Sequence, residues 1–463
     1  MTQRRSLVGL RRRVAAGALA WTAVLLVPAM PHAQSSPSVT FTLDQRLEGS
    51  RNTRLTIPSE GNALQSVTRL GFDLETSTRV EQLRLSGAAA IRLGRSPGDR
   101  LDTVDDPQFR LSYVREGVDS GFSVAASVRR SQLEFLRLSD FLDEDGELDL
   151  PEDFEDLART GRRTAYNLDA GLVLGREAAP LGLSLTLGVG GIDYSQGAQL
   201  ADVRTLRAGV ETRARFSPVV TGTLGYRREE RREGSAPRER RVTDTVFAGL
   251  SYVVSPRTEV SGVLGWSRVD RTGTEIRREE GAIGSLDITT DTPSGPIGVS
   301  LSAENLEAGQ RFQASLNRGL ELRVGALSGS IGAVRQPGGD TDVIGRIAFS
   351  QPLRTGSVNV ALARTAVGNE DPRIRTTLTT GMTYQINSVS SFGLRGDYAR
   401  TSGALDINRV EQAGVTASYS HQLTRDWALT SGVGYRVRNE ADLGRARSPE
   451  VFIGLGRSFV WPL

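Results

Sequence analysis

A two-residue hydrophobic period, written over and over, is what most constrains this chain. In Leu181–Tyr194 (LGLSLTLGVGGIDY), Leu181, Leu183, Leu185, Leu187 and Val189 fall on one side. Gly182, Ser184, Thr186, Gly188 and Gly190 fall on the other. Successive side chains of an extended backbone point to opposite faces, so this is a strand with one apolar face and one small, polar face.

The same pattern opens at Val39, Phe41 and Leu43. It returns at Leu70, Phe72 and Leu74, at Leu83–Leu93, at Phe109–Tyr113 and at Phe122–Val128. It restarts at Tyr166–Leu174 and at Leu206–Phe216, and continues in segments centred near 224, 249, 263, 285, 301, 316, 331, 347, 361, 380, 395, 415, 432 and 455. The segments number 22, and the weaker patterning between 273 and 340 leaves a range of 18 to 22. Connections alternate in kind. Tight turns at Ser217-Pro218, Ser255-Pro256, Asn387-Ser388 and Thr424-Arg425-Asp426 interleave with longer, charged stretches at 95–106, 131–161, 232–238, 368–373 and 439–447. Tight turns on one rim and long loops on the other predict an all-β, antiparallel up-and-down transmembrane β-barrel.

The polar faces argue against a soluble sandwich. They carry Arg, Glu, Asp, Gly and Thr, and a second sheet cannot pack on such a surface. Aromatic residues in phase with the apolar face (Tyr226, Tyr252, Trp266, Tyr384, Tyr398, Tyr419, Trp427 and Tyr435) are placed as interfacial girdles. No solenoid repeat with recurring side chains is present.

Residues 1–33 read as a signal peptide. Arg4, Arg5, Arg11, Arg12 and Arg13 precede an apolar run from Val14 to Met30, and Pro31-His32-Ala33 leads into polar Gln34-Ser35-Ser36. Cleavage after Ala33 is expected, which leaves one barrel domain over 34–463; a single membrane anchor is the competing reading. The 57 basic residues are all arginine. Removing a leader with five arginines and no acid turns the formal net charge of +3 into −2. The basic balance is therefore no argument for nucleic-acid binding. The chain has no Cys, hence no disulfides and no thiolate metal site.

The last strand, VFIGLGRSFVWPL, sets Phe459, Trp461 and Leu463 in phase. It resembles the terminal strand of bacterial outer-membrane β-barrel proteins, although here the final residue is Leu after Pro462. The resemblance implies export to a Gram-negative outer membrane, recognition by the barrel-assembly machinery, and contact with membrane lipid and lipopolysaccharide. A looser likeness is to barrels associated with exopolysaccharide export.

An apolar exterior and a polar interior imply a hydrated lumen. The pattern starts within a few residues of the expected mature N-terminus, so no N-terminal plug domain is anticipated. A porin-like channel for passive passage of small polar solutes is the leading expectation, with an export component as the alternative. Inward candidates on the wall are Arg69, Arg84, Arg110, Arg207, Glu211, Arg213, Arg215 and Arg227.

The 131–161 stretch is the sharpest local feature. Ten acids lie between Asp140 and Asp156 without a base, including Asp143, Glu144, Asp145, Glu147 and Asp149. Interleaved with them are Phe135, Leu138, Phe141, Leu148, Leu150, Phe154 and Leu157. Following the fifth strand, the stretch is similar in position to the constriction loop of general porins, which implies an acidic group facing wall arginines across the pore. The other reading, and the commoner outcome for such a run, is a solvated outer loop that binds divalent ions bridging lipopolysaccharide. Counting Asp143 as the first place, Gly146 stands fourth, not sixth, so the EF-hand spacing is not met.

The mixed run Arg227–Arg241 reads as an outer loop with flanking strand ends. A rim hydrolase is the enzyme alternative, and His421 is the one histidine beyond the leader available to it. Its position beside the turn 422–426 and in phase with Tyr419 favours a structural histidine at headgroup level. No cofactor or metal ligand set is identified. Oligomeric state is open, and a homo-oligomer is compatible with the pattern.

Overall fold

The structure is a computed structural model. It describes residues 38–96, 99–143, 146–151, 154, 161–175, 179–195, 200–234, 238–273, 276–369, 371–403, 410–440 and 444–462. The expected signal peptide, Glu144, Asp145 and Leu463 lie outside the described residues.

Twenty-two strands follow one another along the described chain. They are β1 (Ser38–Arg51), β2 (Asn62–Ser77), β3 (Glu81–Ser96), β4 (Asp99–Glu116), β5 (Ser120–Gln132), β6 (Arg162–Leu174), β7 (Leu181–Tyr194) and β8 (Val203–Ser217). Next come β9 (Val220–Glu233), β10 (Glu239–Ser255), β11 (Thr258–Thr272), β12 (Arg277–Thr292), β13 (Gly295–Leu306), β14 (Gly309–Glu321) and β15 (Ala326–Arg335). The last are β16 (Thr341–Leu353), β17 (Gly356–Val367), β18 (Arg373–Asn387), β19 (Ser390–Gly403), β20 (Val410–Gln422), β21 (Trp427–Glu440) and β22 (Gly444–Pro462). Each pairs antiparallel with its sequence neighbour. β22 returns to β1, setting Trp461 opposite Val39 and Phe459 opposite Phe41. Closure leaves no sheet edge, which is the only way a sheet can satisfy its backbone in lipid. The expected fold class stands, at the upper end of the expected strand range.

The two-residue period turns into inside and outside. Leu64, Leu70, Leu187, Leu206, Leu224, Leu264 and Ile331 are among the large apolar side chains left exposed on the outer face. Aromatic side chains form two bands on that face. On β21, Trp427 and Tyr435 are eight residues apart. That is about 26 Å along the strand, and about 20 Å of height once strand tilt is included. Tyr252, Tyr384 and Tyr419 lie with Trp427 near the tight-turn rim, and Trp266 and Tyr398 lie nearer the other rim.

Strands run further than the sequence pattern suggests on the long-loop rim, the outer rim of such barrels. The expected loop at 95–106 is largely β3 and β4, and Arg227–Arg241 is largely the β9–β10 hairpin. Charged cross-strand pairs hold these extensions together: Glu230 receives Arg240 Nε at 2.9 Å, and Arg228 Nη1 reaches Asp244 at 3.0 Å. Alternation of apolar side chains stops where the membrane stops, but the backbone ladder does not.

Candidate functional site

The site begins where β5 leaves the wall. Two short 3₁₀ turns follow, Leu133–Phe135 and Leu138–Phe141. Leu142 bridges Leu148, and between them the chain reverses at Gly146, whose φ of +80° favours glycine. Asp143 shapes the reversal by accepting the Glu147 backbone N–H on its carboxylate at 2.8 Å. The interleaved apolar residues close on one another. Leu133, Leu138, Leu150 and Phe154 are buried together, with Phe141 edge-on to Phe154 at 5.5 Å between ring centroids. Ala399 of β19 belongs to the same cluster, and Tyr194 and Leu200 pack against it.

This miniature core sits against the inner wall. Arg137 reaches Glu450 of β22 at 3.3 Å and Glu48 of β1 at 3.5 Å. Arg92 of β3 covers the Phe135 ring at 4.0 Å. On the opposite flank, Arg346 of β16 donates Nε to Glu147 at 2.9 Å, and Thr379 of β18 donates to the Gly146 carbonyl at 2.8 Å. Arg375 of β18, itself buried, donates to the Leu150 carbonyl at 2.7 Å and the Pro151 carbonyl at 3.0 Å. A segment that leaves β5 and touches β16, β18, β19, β22 and β1 crosses the lumen. Glu450 and Thr379 each lie six residues in from the outer ends of their strands, so the insertion reaches about 20 Å down the strands. The described residues of the insertion therefore lie against the inner wall instead of standing off it in solvent. Its apolar residues need a partner surface, and the curved inner wall supplies one.

Arg137 and Asp140 explain the latch electrostatically. Burial works to lower the Arg137 guanidinium, but Glu450 and Glu48 outweigh it and hold the group above its ordinary value. Burial raises the Asp140 carboxyl, although the Arg137 backbone N–H at 2.9 Å and the Arg129 guanidinium act to lower it. A second segment, 52–61, joins the assembly: Arg54 pairs with Glu134 at 3.1 Å, and Arg436 of β21 donates to the Thr53 carbonyl.

The wall candidates occupy the face opposite the exposed apolar side chains, and most are paired within the wall. Arg69 lies 3.5 Å from Asp106, a residue in a bulge (φ +47°) whose carboxylate also holds Arg129 at 2.8 Å. Arg84 pairs with Glu75 at 2.9 Å, Arg207 with Asp169 at 3.2 Å and Arg227 with Glu211 at 3.4 Å. Arg213 donates to the Gly175 carbonyl and Arg215 to that of Pro218. Arg110 is exposed and has no ion pair among the described residues. Of the insertion's acids, Glu147 meets Arg346, Asp143 caps its own turn and Asp149 is exposed. The structure thus does not set these acids against the arginines singled out by sequence. The residues that hold the insertion were missed: Glu48, Arg92, Arg137, Arg346, Arg375 and Glu450. An acidic run with interleaved Leu and Phe signals that something must cover it, but not what.

His421 faces Ser390 across β19 and β20, with Ser390 Oγ 2.9 Å from Nδ1 and Tyr419 OH donating to Ser390 Oγ at 3.2 Å. Tyr419 stacks parallel to the ring. Ser390 is buried and bonds the nitrogen that a catalytic acid would otherwise orient, so the trio reads as structural. No group of metal-ligating side chains is found among the described residues.

No family model matches the chain, and no curated protein matches it in sequence. Solved structures do match in fold. A ferric enterobactin receptor mutant from Pseudomonas aeruginosa aligns at 10% identity and a TM-score of 0.56, over 93% of this chain and 81% of that one. The siderophore receptor PirA from the same organism gives 10% identity and 0.52 over the same shares. The FrpB iron transporter from Neisseria meningitidis gives 8% and 0.57, over 92% and 82%. At this identity the likeness is one of fold. A closed barrel with an apolar, aromatic-banded exterior is a bacterial outer-membrane β-barrel protein.

Proposed function

We propose that this outer-membrane barrel is a transport conduit for small polar solutes whose bore is narrowed by the insertion after β5. The observation that carries this reading is the insertion's own core, anchored on β1, β16, β18 and β22. The wall from β8 to β15 carries a different lining. There Arg207, Arg213, Arg215, Arg227 and Glu211 share the inner face with Ser285, Ser300, Ser315, Asn317 and Ser330. Charged and hydroxyl side chains along one flank suit hydrated solutes and give a lateral field that discriminates among them. Glu147 and Asp149, with Glu144 and Asp145 outside the described residues, supply the acidic edge of the constriction. Arg110 supplies an uncompensated cation to the wall.

A second reading is favoured by strand number. Barrels of 22 strands are wide and carry something in the lumen, and the fold neighbours include receptors for ferric enterobactin. On that reading the insertion is a gate and the solute is a larger chelate. Liposomes carrying the refolded mature chain separate the two. Swelling in small sugars and amino acids, at rates that fall with solute size, supports the conduit. Liposomes tight to small solutes, with saturable binding of a ferric catecholate, support the receptor and overturn the conduit. Neither reading needs catalysis, and the buried Ser390 beside His421 is consistent with that. Recognition of β22 by the barrel-assembly machinery belongs to the same proposal.

A further inference from the structure

The outer face of the barrel changes character between β11 and β15. From β7 to β11 a row of bulky side chains crosses it: Leu185, Val210, Tyr226, Val246 and Trp266, each opposite the next. Beyond Trp266 the row drops to Ala282. Over β12 to β15 the same face carries Gly284, Ala303, Ala314 and Ala333, small residues where the neighbouring strands hold aromatic or branched ones. The result is a groove of about 660 Å³, walled by Leu264, Leu286, Leu301 and Phe312. Its volume lies within the range of small-molecule pockets. At its outer end stand Arg335 and Thr341, directly opposite each other.

Arg335 is the informative residue. It is exposed, on the lipid side, and makes no ion pair or side-chain hydrogen bond among the described residues. Most arginines of the outer rim behave differently. Arg228, Arg240, Arg268 and Arg278 are each matched to Asp244, Glu230, Asp270 or Glu280. Arg335 stands nine residues above the start of β15, whereas Tyr435 stands eight above the start of β21. The guanidinium is therefore at or just outside the outer aromatic band, at headgroup height. A planar, permanently charged donor set there fits a phosphate, and the apolar groove below it fits an acyl chain.

We infer that this groove is a binding site for one acylated, phosphorylated glycolipid of the outer leaflet, the lipid A class. Arg335 holds a phosphate, and an acyl chain lies over Ala314 and Ala333. A phosphate unpaired with protein cations elsewhere in the leaflet gains a charge-assisted bond at this position, and the missing side chains give the chain somewhere to lie without displacing protein.

Native mass spectrometry of the refolded mature chain with added lipid A tests this. The inference expects one lipid A retained per barrel. Retention should fall about tenfold in Arg335→Glu and comparably in Ala333→Trp, which fills the groove, while both variants keep the heat-modifiable gel shift of the folded barrel. Lipid A stripped of its phosphates should be retained as poorly by wild type as intact lipid A is by Arg335→Glu. Equal retention by wild type and both variants would overturn the inference. So would equal retention of phosphatidylglycerol, which would mean unspecific annular lipid. Dimers or trimers abolished by Ala333→Trp would make a second copy of the chain the occupant instead.

Discussion

Two flanks of the same lumen are built on different principles. On β6 to β9 the ion pairs are near-neighbours in the ladder: Arg207 meets Asp169 and Arg227 meets Glu211, on strands adjacent or one apart. Side chains there are exposed to the lumen and pair with what the register puts beside them. On β16 to β22 and β1 the partners come from across the barrel. Arg137 pairs with Glu450 over a separation of 313 residues, and Arg346 with Glu147 over 199. The Arg137–Glu450 pair is the more buried of the two, and beside it the insertion closes its own apolar cluster of Leu133, Leu138, Leu150 and Phe154, whereas Arg346 stays exposed to the lumen. The first flank is a polar lining and the second is a binding surface for part of the same chain. Equal-looking arginines therefore carry unequal weight.

Deleting residues 136–157 should have the largest effect, because it removes the bridge and leaves the lining. Single-channel conductance should rise by at least about twofold, with the barrel still folded. Unchanged conductance would mean that the insertion does not narrow the path.

Arg137→Met comes next. It leaves Glu48 and Glu450 facing each other without their shared cation, and breaking a largely buried pair of this kind costs about 3 kcal/mol or more. The cost should fall on docking of the insertion, not on the barrel. Limited proteolysis should cut within the insertion far faster than in wild type, with the heat-modifiable shift intact.

Asp140 predicts a smaller, pH-dependent effect. Its carboxyl titrates above the ordinary value when docked, so the docked state prefers the protonated form. Docking should be tightest at low pH and should weaken as pH rises through that raised value. Asp140→Asn, compared with wild type at each pH by the same proteolysis, should flatten the dependence and dock at least as well at neutral pH. A steeper dependence in the variant would refute the assignment.

Smallest of all should be Arg84→Gln. The Arg84–Glu75 pair is more than half exposed, and such pairs contribute about 0–1 kcal/mol. Thermal or denaturant unfolding should shift by less than that, and a large loss would mean the lining flank is as structural as the docked one.

The contrast also explains what could be read from the sequence. Strand number, turn rims and the in–out assignment follow from alternation, which is local: Leu183, Leu185 and Leu187 declare their face without knowing their neighbours. Wall pairs such as Arg84–Glu75 are legible to the same degree, because register places them. The β9–β10 extension is hidden because charged residues alternate with charged residues there, and the β3–β4 extension because Ser96-Pro97-Gly98 and scattered acids break the apolar period. Docking of the insertion was hidden for another reason. Closure of β1 on β22 brings Glu48 and Glu450 together, and no local pattern encodes a meeting between Arg137 and residues at both ends of the chain. Small residues at Ala303, Ala314 and Ala333 look like ordinary strand positions until four strands are laid side by side.

The insertion after β5 spans the lumen to reach β16. The chain has no native cysteine, so Glu147→Cys and Arg346→Cys give two unique spin-label sites in the refolded barrel. Pulsed electron spin resonance should report a single short distance, because the two side chains are in contact. A broad distribution of long distances would place the insertion outside the lumen.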